Sequence, residues 1–235
     1  MDSKRTSVNP KRPYDSVRRR EQARHTRAAI IDVARRRFLN DGFAATTIAA
    51  IASEARVSVD TVYKAFGGKP GLVSAICREA LAGEGPVPAE TRSDAMQTTE
   101  RDPRKIIRGW GALSVEVAPR IAPILLLVRA AATADPEMAR LQSELNTQRL
   151  ERMTHNAESL ARAGALRAGF TVERAGEILW TYSSPELYEL LVVTREWSLD
   201  GYGNFIADAM IAALLEPATF PDCGESPEKL TSPGY

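Results

Sequence analysis

A short polar stretch, SVDTVYKAFGGK at residues 58 to 69, concentrates side chains that can hydrogen-bond to another molecule. Lys64 could donate to guanine O6 or N7, and Asp60 could accept from cytosine N4. Val59 and Thr61 could meet a thymine methyl group in the same groove. These residue types, held on one face of a short helix, would suit contact with the base edges of DNA.

The same stretch could equally be an ordinary helix end and turn. Ser58 can cap a helix over Val59 to Phe66, in which Val62 and Phe66 would face inward. Gly67 and Gly68 would then end that helix. The elements around this segment therefore decide between the two interpretations.

The neighbouring pattern predicts three further helices. Thr46 and Thr47 can cap a helix from about Ile48 to Ala55, which leaves only a sharp turn before Ser58. A longer helix from about Val17 to Asn40 precedes it, with Gly42 as a left-handed cap. Pro70 is tolerated in the first turn of a fourth helix that runs from Lys69 to Ala82. Two short helices joined by a tight turn and braced by a longer one make a helix-turn-helix.

Several spaced residues of this segment match a known pattern: Gly42-Phe43, Thr46-Thr47, Ile51-Ala52, Val57-Ser58, Val62-Tyr63, Phe66, Lys69 and Leu72. With the preceding helix, residues 20 to 80 resemble the DNA-binding domain of the tetracycline-repressor (TetR) family. The chain departs from the family at Arg56, where the family usually has glycine. A left-handed backbone there would cost arginine roughly 1 kcal/mol.

The resemblance implies which residues contact DNA. The expected set is Thr47, Ser58, Val59, Asp60, Thr61, Tyr63, Lys64 and Lys69. Tyr63 resembles the family tyrosine that touches the backbone and an adjacent base. Thr47, Ser58 and Lys69 lie at helix starts, where phosphate oxygens can bind. Simple capping would explain the two hydroxyls, and a solvated side chain would explain the lysine.

Positive charge is concentrated at the N-terminus. Residues 1 to 37 carry twelve Lys or Arg against four acidic residues, hence +8, whereas the whole chain carries +1. Such asymmetry suggests a localised contact with a polyanion, although a solvated basic tail is the simpler alternative. Residues 1 to 16 are expected to be a disordered basic arm, which could follow phosphates or enter a minor groove.

The rest of the chain predicts an all-α second domain. Glycines and prolines at residues 83 to 102 indicate a linker. Candidate helices follow at Pro103 to Val117, Pro119 to Ala134, Pro136 to Ala163, Val172 to Ser183, Pro185 to Thr194 and Ser198 to Leu215. Together they form the domain over residues 103 to 215, and residues 216 to 235 are expected to be a disordered tail.

The resemblance implies that this second domain dimerises and holds a small-molecule effector of unknown identity. The helices that would surround a pocket contribute Trp110, Leu113, Val117, Leu125, Val128, Arg129, Leu145, Trp180 and Tyr188. Arg129 could pair with an anionic effector or with an internal carboxylate. The apolar stripe of the last helix, a candidate dimer interface, contains Tyr202, Phe205, Ile206, Ala209, Met210 and Ala213. Plain core packing would account for either set.

Other function classes find little support. No P-loop, GxSxG, GxGxxG or metal-spaced His or Cys pair occurs, so we predict no enzyme, no metal and no cofactor. No apolar run approaches the roughly 20 residues of a membrane span. Cys77 and Cys223 are too few and too distant in sequence for a disulfide framework, which suits reduced thiols in a cytoplasmic protein. When bound to DNA, the protein would be associated with the nucleoid. The chain is therefore expected to be a ligand-responsive repressor that binds a palindromic operator as a homodimer. A nonspecific DNA-coating protein and an activator are the alternatives.

Overall fold

The computed structural model describes residues 13 to 217, and it describes side chains from Val17 onward. Ten α-helices and one π-helical segment make up this part of the chain. Their bounds are α1 Pro13–Asp41, α2 Ile48–Glu54, α3 Val59–Phe66, α4 Lys69–Ala82, α5 Ala89–Thr99, α6 Pro103–Ala132, α7 Pro136–Arg162, α8 Val172–Tyr182, α9 Pro185–Tyr188, the π segment Glu189–Thr194 and α10 Leu199–Leu214. Within these residues β pairing is limited to one isolated bridge, so the predicted all-α class is confirmed.

The first four helices follow the predicted helix-turn-helix closely. Gly42 ends α1 with φ of +82°, as expected of a left-handed cap, and its N–H donates to the Phe38 carbonyl. Helix α1 begins at Pro13, four residues before the predicted start. The expected disorder of the arm falls mostly on residues 1 to 12, and that of the tail on residues 218 to 235, which lie outside the described residues.

Two predicted boundaries were wrong. The expected linker contains helix α5, which the glycines and prolines around it obscured. The predicted break at Pro119 does not occur either, because α6 runs unbroken through Pro119 and Pro123. A proline inside a helix forfeits one backbone hydrogen bond and clashes with the preceding turn. Here the tertiary contacts around α6 offset that cost.

Helix α6 is the centre of the fold. It packs against α4, α5, α7, α9 and α10. By length and apolar composition alone it would also suit a membrane span. About a third of its apolar stretch is buried in the protein interior. Gly111 faces Gly203 of α10 so closely that a Cβ on either would meet backbone of the other. The buried apolar residues of α6 are therefore explained by its contacts with the surrounding helices.

One hydrophobic core joins the helix-turn-helix to the second domain. Leu72, Val73 and Ile76 of α4 belong to the same buried cluster as Ile124 of α6 and Met138 of α7. A displacement of α6 or α7 would therefore alter the packing of α4, because closely packed side chains transmit displacement. A second cluster, formed by the remaining parts of α6 and α7 with α8 and α10, lies away from the DNA-binding end.

Candidate functional site

Helix α3 divides into a buried side and an exposed side. Val62 is fully buried and Phe66 half-buried, which fixes the helix on the core. Val59 is 41% exposed and Tyr63 50% exposed, although both are large and apolar or aromatic. The two side chains lie one helical turn apart and are exposed to solvent, so they are available to another molecule.

The turn before α3 joins two helices whose starts are both capped by hydroxyl side chains. Thr47 accepts from the Ala50 N–H at 3.1 Å, and Ser58 accepts from the Thr61 N–H at 3.1 Å. The Ser58 and Thr61 hydroxyls also lie 2.8 Å apart. Arg56 adopts φ of +56°, the left-handed conformation for which the family uses glycine. The capping role of the two hydroxyls is therefore confirmed, and their phosphate role stays a prediction.

The two charged side chains of α3 form an ion pair with each other. Lys64 Nζ lies 2.7 Å from Asp60 Oδ2, one helical turn away, and both side chains are about 70% exposed or more. An exposed pair at this spacing stabilises the helix only slightly, by roughly 0.3–0.5 kcal/mol. Contact of Lys64 with a guanine would thus compete with Asp60, whose carboxylate keeps the ammonium near the start of the helix.

Two cations hold α3 and α4 in place from behind. The Arg27 guanidinium lies 4.3 Å from the centroid of the Phe66 ring, and its Nη1 donates to the Ala65 carbonyl at 3.2 Å. Lys69 lies 4.1 Å from the centroid of the Phe43 ring and donates to the Phe43 carbonyl. Burial lowers the pKa of Lys69, while the negative charge of Asp135 opposes that shift. In the free protein Lys69 thus fastens the start of α4 rather than projecting into solvent.

Part of the basic N-terminal charge is used inside the fold. Arg35 pairs with Glu79 at 3.7 Å, and Arg36 and Arg37 both contact Glu54, at 3.0 and 2.6 Å. The hydrogen bond from Arg37 is the main reason that the pKa of Glu54 is lowered. These three arginines brace α1 against α2 and α4. Arg18, Arg20 and Arg24 are exposed on the same helix.

A cleft of about 410 Å³ opens between α6, α7, α8 and α9. It is lined by Leu125, Val128, Arg129, Gln142, Leu145, Asn146, Arg149, Trp180, Thr181, Ser184, Pro185 and Glu186. Five of the nine predicted pocket residues are among them. The other four, Trp110, Leu113, Val117 and Tyr188, pack in the cores instead. The Trp110 indole donates to Ser93 at 3.1 Å, and Tyr188 meets Tyr202 edge to face.

Arg129 has an internal carboxylate partner, which was one of the two alternatives. Its Nη1 lies 2.7 Å from Glu186 Oε1. Arg149, which the sequence did not single out, lies deeper in the same cleft. Its guanidinium stacks 4.3 Å from the Trp180 ring centroid, and Nη1 donates to the Trp180 carbonyl at 2.7 Å. Burial lowers the pKa of Arg149. A lone arginine in a helix carries no sequence signal for this position.

The candidate dimer residues divide between core and surface. Tyr202, Ile206 and Met210 fill the second core, the alternative stated above, so they are not available to a partner. Ala209 and Ala213 are half-buried. Phe205 is 38% exposed and meets Trp197 edge to face, with ring centroids 5.6 Å apart.

The sequence did not point to the residues just before α10. Leu190 and Val193 of the π segment are 55% and 61% exposed, and Trp197 is 41% exposed. With Phe205 they form what we call the apolar patch: Leu190, Val193, Trp197 and Phe205. The sequence predicted one helix from Pro185 to Thr194, whereas the structure has α9 followed by the π segment, in which Leu190 and Val193 are exposed.

Comparison with known proteins gives consistent results. A family model described as bacterial regulatory proteins, tetR family, matches residues 30 to 76. The HTH-type transcriptional regulator BetI of Burkholderia cenocepacia is 30% identical over 159 residues, covering 66% of this chain and 79% of BetI. Its description as a transcriptional regulator agrees with the prediction that the chain is not an enzyme.

Solved structures show the same fold. SmeT in complex with triclosan aligns over 90% of this chain and 99% of its own, with 21% identity and a TM-score of 0.64. SmeT is the repressor of the Stenotrophomonas maltophilia multidrug efflux pump SmeDEF. A transcriptional regulator from Saccharomonospora viridis in complex with choline aligns over 82% and 99%, with 20% identity and a TM-score of 0.61.

Proposed function

The chain belongs to the TetR family of bacterial transcriptional regulators, and we propose that it represses transcription by binding a palindromic operator as a homodimer until an effector enters the cleft. We place it in the cytoplasm, associated with the nucleoid when bound to DNA. The observation that carries the proposal is the exposed side of α3. Its side chains take no part in the hydrophobic core: Val59, Asp60, Tyr63 and Lys64. A recognition helix presents such residues to the major groove.

The operator contacts follow from where each side chain lies. Val59, Asp60, Thr61 and Lys64, at the N-terminal end and along the exposed side of α3, would meet base edges. Tyr63 would meet the backbone and an adjacent base. Backbone N–H groups at the starts of α2 and α3, beside the caps Thr47 and Ser58, would bind phosphate oxygens.

Lys69 requires a change of partner in this proposal. Its ammonium is held by the Phe43 carbonyl and ring in the free chain. Exchange of that carbonyl for a phosphate oxygen would gain a charge-assisted hydrogen bond. It would also couple operator binding to the position of the first turn of α4, since Lys69 is the first residue of that helix.

The effector role of the cleft is supported by its position. Val128 lines the cleft and also belongs to the core that contains Leu72, Val73 and Ile76 of α4. A ligand that changes the packing of α6 or α7 would therefore move α4 and the recognition helix behind it. The triclosan and choline complexes of the two relatives support a ligand-responsive role, although neither names the ligand of this chain.

The experiment is footprinting of the purified full chain on DNA upstream of its own coding region. The expected result is a protected palindrome whose half-sites are centred about one helical turn, roughly 34–36 Å, apart. Protection that spreads without preference and falls steeply with salt would favour the DNA-coating alternative. Transcription in vitro from the same DNA would separate a repressor from an activator.

A further inference from the structure

We propose that the effector of this chain is a small amphipathic anion, such as a monocarboxylate, whose charged group is bound by Arg149 and the Trp180 indole. This inference rests on the proposed function only in calling the ligand an effector. The binding chemistry itself is argued from the cleft and is tested on the protein without DNA.

Arg149 is a cation in the cleft without a carboxylate of its own. Throughout the described residues, no Asp or Glu lies within ion-pair distance of its guanidinium. Its Nη1 donates to the Trp180 carbonyl and, at 3.4 Å, to the Ser183 hydroxyl, and both acceptors are neutral. An arginine has five N–H donors. A partly desolvated guanidinium with donors to spare is the group that binds carboxylates or phosphates in proteins.

Trp180 supplies a second donor at the same place. The indole N–H is buried and finds no acceptor among the described residues. A buried donor without a partner costs roughly 1–3 kcal/mol, so an acceptor that arrives with a ligand would recover that energy. Trp180 lines the cleft, and the guanidinium of Arg149 lies over its ring. Both residues thus belong to the lining of one cleft, and a ligand that binds Arg149 there lies beside the residue that carries the unpaired donor.

The remaining charges of the cleft also favour an anion. Arg129 and Glu186 pair at 2.7 Å, and the negative charge of Glu186 also acts on Arg149 from beyond ion-pair distance. The two arginines and the one glutamate of the lining leave it with a net positive charge. A quaternary ammonium ligand would need an open aromatic face or an unpaired carboxylate. Arg149 covers one face of the Trp180 ring, and Glu186 is paired with Arg129.

The other lining residues determine which kind of ligand body fits the cleft. Leu125, Val128, Leu145 and Pro185 offer an apolar wall, and Gln142, Asn146, Thr181 and Ser184 offer neutral hydrogen-bonding groups. The volume of about 410 Å³ lies toward the lower end of the range of roughly 300–1,000 Å³ that holds small molecules. A compact apolar body that ends in an anionic group fits both halves of this lining.

Calorimetric titration of the full chain without DNA tests the charge preference directly. Two matched series are used: octanoate, octanamide and octyltrimethylammonium, and phenylacetate, phenylacetamide and benzyltrimethylammonium. At least one carboxylate is expected to saturate the protein with a dissociation constant of about 1 mM or tighter. Its matched amide and ammonium are expected to bind about tenfold or more weakly.

Variants then assign the contact to its residues. Arg149→Gln is expected to weaken the carboxylate by about 10- to 100-fold and to leave the amide almost unchanged. Arg149→Lys keeps the charge and should restore part of the loss. Trp180→Phe removes the indole donor and should weaken the carboxylate by about threefold to tenfold. Arg140→Gln, on the exposed side of the same helix, is the matched control and should have no effect.

The outcomes separate the two proposals. Tighter binding of an ammonium, no saturable binding of either carboxylate, or full carboxylate affinity in Arg149→Gln would overturn the anion assignment even if footprinting finds the operator. The wild-type series decides this point even where a variant fails to fold. Absence of a palindromic footprint would instead defeat the operator proposal and leave the titration result intact.

Discussion

At the scale of single residues, the proposed operator contact depends on how Asp60 shares the exposed side of α3 with Lys64. The two side chains form an ion pair 2.7 Å long in the free protein. DNA offers Lys64 a stronger field of negative charge, whereas phosphates repel Asp60. Asp60 therefore opposes DNA binding in general and is tolerable only where its carboxylate meets a donor such as cytosine N4.

We predict that the two charges affect affinity and discrimination differently. Lys64→Gln should weaken operator binding by about 5- to 150-fold, the range for one good base contact. Asp60→Asn should tighten binding to random DNA and reduce the preference for the operator. Mobility-shift titrations on operator and scrambled duplexes measure both effects. Lys105→Gln, an exposed lysine of α6, is the control. Equal losses on the two duplexes would show that Lys64 contacts only phosphate.

At Arg56 the chain departs from the family in residue type but keeps a left-handed backbone. With φ of +56°, its Cβ costs roughly 1–2 kcal/mol, and glycine would remove that strain at an entropic cost of roughly 0.5–1 kcal/mol. We predict that Arg56→Gly raises the free energy of unfolding by about 0.5–1 kcal/mol, measured by urea denaturation. Arg56→Ala, which keeps the Cβ, should not. If alanine stabilised the protein equally, charge rather than backbone strain would be responsible.

At the scale of elements, the sequence predicted those helices that carry their own start and stop signals. Thr47, Ser58, Gly42 and Gly67 fixed the bounds of the helix-turn-helix locally, because caps and left-handed turns depend on nearby residues. Helix α5 was missed because nothing in its own sequence marks it; it is held to α7 by contacts such as that between Arg152 and Asp94, 2.7 Å apart. Long-range packing of this kind cannot be inferred from spacing along one chain.

The cleft residues also divide into those that the sequence predicted and those that depend on long-range packing. Leu125, Val128 and Leu145 were predicted because they are apolar residues of helices expected to surround a pocket. Arg149 was not, since its place over Trp180 depends on how α7 crosses α8. The unbroken course of α6 through two prolines likewise follows from the helices packed around it.

The junction of α3 and α4 depends on a glycine without a left-handed backbone. A Cβ on Gly71 would lie 1.8 Å from the Phe66 carbonyl oxygen, which is backbone and cannot rotate away. We predict that Gly71→Ala destabilises the protein by about 1–3 kcal/mol, as expected of overpacking, and weakens operator binding by displacing α3 from α4. Urea denaturation and mobility shift measure these effects.

Gly109→Ala is the matched control for this substitution. It also introduces a methyl group into a helix, but the Cβ would meet only the flexible Met96 side chain. We expect a smaller change in the free energy of unfolding there and no change in operator affinity. Equal costs at Gly71 and Gly109 would mean that the contact with the Phe66 carbonyl is not the cause.

At the scale of the whole molecule, operator binding requires two recognition helices at a fixed separation. One α3 reads only a few base pairs, so a monomer would bind a half-site weakly. The apolar patch offers the surface for a second copy, because Leu190 and Val193 are more than half exposed although both are aliphatic. In a two-fold interface each copy would contribute this patch once, so every substitution acts twice.

We therefore predict that Leu190→Glu combined with Val193→Glu shifts the chain to monomer and weakens binding to the full palindrome by at least about 100-fold, since four buried charges would oppose association. Affinity for an isolated half-site should not change, because α3 is untouched. Sedimentation velocity and mobility shift measure the two effects. Leu81→Glu with Val87→Glu, another apolar pair more than 40% exposed, is the control. A dimer that survives the first pair and keeps full operator affinity would place the interface on another face of the second domain.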